Sequence, residues 1–173
     1  MRFVVAGPFE LRRYGKKHLI SQESMADLEQ ELEQTPGLSE ACGCYVFAIR
    51  AGKGYTPYYV GQACKRSLLR ESMNPSNIGK YNSACSASNG RPFVFFLPMR
   101  TPKGRYRKKG TGTGALDFLE RWLIATAISK NDTLINTKQT HFLRNITVAG
   151  VFNANKGKPP KASQQLKRAL GIR

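Results

Sequence analysis

The sequence predicts an α+β domain, a small central sheet of antiparallel or mixed strands flanked by helices. Three stretches carry that expectation. Gly43-Cys44-Tyr45-Val46-Phe47 and Tyr58-Tyr59-Val60-Gly61 are short β-prone runs around the turn residues Gly52, Gly54 and Pro57, the pattern of an antiparallel hairpin with a longish loop. Residues 92–99, with Phe93-Val94-Phe95-Phe96-Leu97 inside them, are an almost continuous apolar run and read as a central strand. Residues 115–129 carry Leu116, Leu119, Leu123, Ile124 and Ala127 on one helical stripe, widened by Phe118, Trp122 and Ile128. With 173 residues and 40% hydrophobic side chains, the chain is long and apolar enough to bury a core.

Along the chain, residues 2–11 contain a short β-like run, followed by the basic turn Arg12-Arg13-Tyr14-Gly15-Lys16-Lys17. Residues 21–34 read as a helix. Leu28 and Leu32 lie four apart, Glu23, Asp27, Glu29, Glu31 and Glu33 form a solvated face, and Pro36-Gly37 ends it. Residues 1–40 are therefore read as an N-terminal accessory arm. Strands at 44–49 and 58–60 come next, then a helix over 67–73 stopped by Asn74-Pro75. A basic, glycine-rich loop spans 102–114. Its Gly110-Thr111-Gly112-Thr113-Gly114 run lacks both the G-x-x-x-x-G-K-[ST] pattern and the strand-then-G-x-G-x-x-G context of a phosphate cradle, so it reads as a flexible loop rather than a nucleotide site. One more strand is predicted at 146–152. The tail, with Lys156, Lys158, Pro159-Pro160 and Lys161, leads to a short basic helix at 163–170. Residues 138–173 thus add a strand and a basic C-terminal appendage to a domain of 41–137, and no repeats are present.

The net charge of +17 is unevenly placed. Residues 41–173 hold 23 of the 28 Lys and Arg and only four acids, Glu71, Asp117, Glu120 and Asp132. Such a field draws polyanions and makes their binding salt-dependent, so nucleic acid is the expected partner. Lys65, Arg66, Lys80, Lys103, Arg105, Arg107, Lys108 and Lys109 are the candidate backbone contacts. No run of about 18 apolar residues and no basic helix with a broad apolar face argues for a membrane. Phe3-Val4-Val5-Ala6 is too short for a signal peptide, which makes a cytoplasmic protein the expectation. Cys42, Cys44, Cys64 and Cys85 have no C-x-x-C pair, and His18 and His141 are distant in sequence, so free thiols are expected rather than zinc or disulfides.

Among candidate chemical groups Glu120 stands out. It lies with Leu116, Leu123 and Ile124 inside an apolar stripe, where an unpaired carboxylate costs on the order of several kcal/mol. An ion pair with a buried arginine and a bound cation are both open readings. Asp117 faces Arg121 four residues on, and a surface ion pair accounts for it. Tyr45 and Tyr59, taken alone, are ordinary half-buried strand tyrosines.

Gly43-Cys44-Tyr45 followed by Tyr59-Val60-Gly61 resembles the signature of the GIY-YIG nuclease superfamily, which cuts phosphodiester bonds in DNA with one metal ion. The resemblance covers residues 41–137. It implies that Glu120 is the sole protein ligand of Mg²⁺ or Mn²⁺, chemistry in keeping with an ion that retains several waters. It also implies that Tyr45 orients or deprotonates the attacking water and that Tyr59, or the adjacent Tyr58, contacts the scissile phosphate. The family's asparagine corresponds to Asn136, sixteen residues after Glu120. Its helical arginine corresponds to Arg70, which falls nine residues after Gly61, one more than the family spacing, with Arg66 at five. Where many members have His or Tyr four residues past that arginine, this chain has Asn74, with Lys80-Tyr81 as a substitute. The expectation is therefore a one-metal endonuclease with catalytic Tyr45, Tyr59, Arg70, Glu120 and Asn136. The alternative is a catalytically silent nucleic-acid-binding module on the same scaffold.

Overall fold

The computed structural model describes all of the chain except residues 111–112, 137–139, 141–144, 153–156 and 172–173. The chain divides into two units, Met1–Ile135 and Asn136–Arg173. The first unit contains β1 (Arg2–Phe3), β2 (Ala6–Glu10), α1 (Gln22–Glu33), β3 (Gly43–Ala51), β4 (Gly54–Ala63), α2 (Leu68–Ser72), α3 (Pro75–Ser86), β5 (Arg91–Arg100) and α4 (Gly114–Lys130). It is an α+β arrangement in which every strand pairing is antiparallel, in the order β1–β5–β3–β4 with β2 also against β5.

Alternation along the strands builds two cores. Tyr45, Phe47 and Ile49 of β3 and Val94 and Phe96 of β5 point to one face, where α1, α2 and α3 add Leu28, Leu32, Leu68, Leu69, Met73 and Tyr81. Cys44, Met99 and Cys42 occupy the other face against Leu116 of α4. A strand covered on both sides needs apolar residues at every position, which is why β5 reads as a continuous run rather than an alternating one.

Residues 1–40, expected as an arm, contribute β1 and β2 to the sheet and Leu11, Ile20, Leu28, Leu32 and Leu38 to the main core. The hairpin also differs from expectation. Its strands continue to a two-residue turn, Gly52-Lys53, with Ala51 opposite Gly54 and Gly52 at φ +64°. Pro57, a residue that weakens a strand prediction, is tolerated because β4 is an edge strand. The register shifts there too: Phe47 faces Tyr59 and Ala48 faces Pro57, so Tyr58 is the extra residue of a bulge.

Asn74-Pro75 ends α2 as predicted and also starts α3, which the sequence reading did not anticipate. The Asn74 side chain accepts from the Asn77 N–H at 2.9 Å, and Pro75 occupies the first turn, where its missing donor costs nothing. The described part of the basic loop is tied to the sheet. Arg107 N–H donates to Met99 at 2.8 Å, Cys42 N–H to Arg107 at 2.8 Å and Gly110 N–H to Cys64 at 2.7 Å. Thr111 and Gly112 of the glycine-rich run lie outside the described residues. Phe118 and Trp122 do not extend the apolar stripe of α4. They sit across the helix from Leu116, Ile124 and Ala127 and are exposed.

In the second unit, residues 146–152 form a turn closed by a Val148–Phe152 bridge rather than the expected strand. Gly150, at φ +73°, reverses the chain in the middle of that run. A helix, α5 (Lys161–Ala169), follows, and Ser163 Oγ donates to the Ala149 carbonyl at 2.6 Å. His141 and Lys156 are outside the described residues. Among the described residues, no helix is long and apolar enough to cross a membrane.

Candidate functional site

The candidate residues of the first unit gather around β4, divided between its two faces. Cross-strand pairing sets Tyr45 opposite Gly61 and Phe47 opposite Tyr59, so both tyrosines belong to the face covered by α2 and α3. Their ring centroids are 6.2 Å apart. Gly61 is the one position where the pair demands a glycine, since a Cβ there would run into the Tyr45 phenol.

A hydrogen-bonded chain ties these phenols to α3. Buried Asn77 donates from Nδ2 to the Tyr45 hydroxyl at 2.9 Å and to the Glu71 carbonyl at 2.8 Å. Lys80 Nζ donates to Asn77 Oδ1 and to the Tyr59 hydroxyl, each at 3.2 Å, and lies 4.3 Å from the Tyr59 ring centroid. Burial holds the Tyr45 phenol far above its ordinary pKa, reinforced by Tyr81, Tyr59 and Glu71, while the Asn77 bond acts in the opposite sense. Tyr45 is thus a neutral hydrogen-bonding group. Tyr81, stacked on Phe47 at 4.1 Å, is wholly buried with a hydroxyl lacking a partner among the described residues, and burial likewise raises its pKa. Tyr58 donates to or accepts from Ser88 Oγ at 2.7 Å, away from this chain of contacts.

Glu120 lies on the opposite face. Gln62, next along β4 from Gly61 and opposite Cys44, must point away from Tyr45, and it meets α4. Its Nε2 donates to Asp117 Oδ1 at 2.8 Å. Gln62, not Arg121, is therefore the hydrogen-bond partner seen at Asp117. Burial raises the Glu120 pKa and Asp117 adds to the rise, while Arg121 and Gln62 work against it. The Cys44 thiol beneath is pushed up to about 12 by burial, then by Glu120 and Asp117, and its Sγ contacts the Leu116 carbonyl at 3.8 Å. Gln62 Oε1 is buried with no hydrogen-bond partner among the described residues. Glu120, Asp117 and this orphan oxygen are all oxygen donors, the type a hard ion such as Mg²⁺ or Mn²⁺ prefers. Among the described residues no three His, Cys, Asp or Glu side chains converge as a metal cluster.

Arg70 is exposed on α2, where Lys65, Arg66, Arg70 and Lys109 line a surface cleft of about 440 Å³ with Asn74 on its wall. Its backbone N–H is capped by Ser67 Oγ. Asn74 is the cap of α3 and also donates to the Glu71 carbonyl at 2.8 Å, a structural role for the position that departs from the family pattern. Lys103, Arg105 and Lys108 are exposed, whereas half-buried Arg107 reaches Met99 Sδ at 3.5 Å. Asn136 opens the second unit, buried, with its carbonyl accepting from Thr140 Oγ1.

Sequence reasoning missed Asn77 and Gln62. Asn77 was legible only by reading Asn74-Pro75 as a helix start, which places it in the first turn. Gln62 follows from strand alternation, since the residue after Gly61 has to face whatever covers the other side. Compared with protein-family models, curated proteins and solved structures, the chain matches none of them.

Proposed function

We propose that the chain is a metal-dependent endonuclease of the GIY-YIG type that hydrolyses phosphodiester bonds in DNA. The observation that carries this reading is the pairing of Tyr45 and Tyr59 over Gly61, 6.2 Å apart on one face of the hairpin. The order of hairpin, Arg70 helix, strand and Glu120 helix supports it. So does the basic cleft around Arg70.

In this mechanism Lys65, Arg66, Arg70 and Lys109 hold the phosphate backbone, and Arg70 offsets charge that grows on the phosphate during attack. Tyr59, with Lys80 beside its hydroxyl, contacts the scissile phosphate. Tyr45, kept as a neutral phenol, orients the attacking water by hydrogen bonding and does not serve as a phenolate base. Glu120, with Asp117 and Gln62 Oε1, would hold Mg²⁺ or Mn²⁺. When bound, the ion supplies Lewis-acid stabilisation of charge on the phosphate or leaving oxygen. Asn136 enters by its spacing from Glu120 alone.

One observation favours the second reading, a silent nucleic-acid-binding module. Glu120 and Gln62 lie on the α4 face of β4, across the strand from both tyrosines. The deciding measurement is cleavage of labelled duplex, branched and single-stranded DNA with Mg²⁺ or Mn²⁺, beside an EDTA control. Glu120→Gln is expected to lower the rate by more than about a hundredfold while leaving DNA binding intact. Unchanged cleavage by the variant removes Glu120 from the site, and salt-sensitive binding without cleavage by the native chain selects the silent module.

A further inference from the structure

We propose that Phe118 and Trp122, on the outward face of α4, form a stacking platform for unpaired bases of single-stranded nucleic acid. The two side chains are 71% and 56% exposed. They are four residues apart, so their rings are neighbours on the helix surface. Of the described phenylalanines and the single tryptophan, only these two are exposed. Large aromatics left in water side by side mark an interaction surface. Ala125, about one turn past Trp122, and Ser129, about two turns past it, are small.

The charge around the pair selects the occupant. Exposed Arg121 lies between the two aromatics in sequence, in a chain of net charge +17. A basic surface carrying exposed aromatic faces is suited to a strand whose phosphates meet the cations while its bases stack. A duplex satisfies the first requirement only, because its base faces are already occupied by their neighbours. The inference rests on the nucleic-acid partner of the proposed function, but not on cleavage, since Phe118 and Trp122 lie across α4 from Glu120.

Trp122 is the only tryptophan in the chain, so its emission reports on the platform directly. The native protein is titrated with oligothymidylate, oligouridylate and a DNA duplex of equal length, reading Trp122 emission and the anisotropy of a labelled strand together. Both single strands are expected to quench Trp122 in step with binding, and the duplex to bind without quenching. Phe118→Ala is expected to weaken single-strand binding about tenfold and leave duplex binding unchanged. Single-strand binding with unmoved emission overturns the proposal, as does equal loss of duplex and single strand in the variant. Emission that shifts with protein concentration alone assigns the face to a second copy instead. Absence of binding to every strand overturns it together with the nucleic-acid partner, whereas absence of cleavage bears only on the enzyme.

Discussion

Glu120 is the residue at which sequence, packing and chemistry meet. The helical stripe predicted that it would be drawn out of water, and its pKa is raised by burial first and by Asp117 second. A raised folded-state value means the native chain holds this proton more tightly than the unfolded chain. Stability therefore falls as pH rises from the ordinary value of 4.5 through the folded one, and it is recovered on acidification. Glu120→Gln is expected to melt higher than the native protein at neutral pH, the two converging below the ordinary carboxyl range. Melting curves across pH check this, and a gap that widens on acidification contradicts the assigned shift. Adding Mg²⁺ or Mn²⁺ at neutral pH extends the experiment. An ion at ten times its dissociation constant contributes about 1.4 kcal/mol, or roughly 3–6 °C, to the native chain and nothing to the variant.

At the scale of elements, the β3–β4 hairpin decides where every candidate group points. Gly61 permits the Tyr45 phenol to cross β4 and reach Asn77, so Gly61→Ala is expected to cost about 1–3 kcal/mol in urea unfolding. Gly54→Ala, where an added Cβ meets nothing within 4 Å, serves as the neutral control. Equal effects from both substitutions contradict this account of the close approach. Much of the hairpin was legible, because β-prone runs beside glycines identify strands. Its turn was not, because Pro57 argues against a strand unless one knows that β4 lies at an edge and carries a bulge at Tyr58. The outward turn of Phe118 and Trp122 was equally hidden. A helix with apolar residues around most of its circumference does not declare which side the sheet will cover. The separation of Glu120 from the tyrosines could have been read from alternation at Gly61 and Gln62, once the partner of each face was known.

For the whole molecule, the uneven charge is the property that composition made plainest, and the fold gathers part of it. Four cations, Lys65, Arg66, Arg70 and Lys109, line one cleft. If each meets a phosphate, duplex affinity falls about a hundredfold between roughly 50 and 200 mM salt. Arg70→Ala is expected to weaken binding to all sequences alike and to reduce the salt slope by about one, as read from binding isotherms over a salt series. A slope unchanged by the substitution takes Arg70 off the backbone. The bulged edge of the sheet has a separate consequence, for colloidal behaviour. The outer strand's Pro57 carbonyl is taken by Asn131 Nδ2 and its Tyr58 carbonyl by the Ile135 N–H, both at 2.8 Å. A neighbouring molecule in a crowded solution thus finds no unbroken ladder to extend there, and the protein is guarded against growing into fibrils along that side.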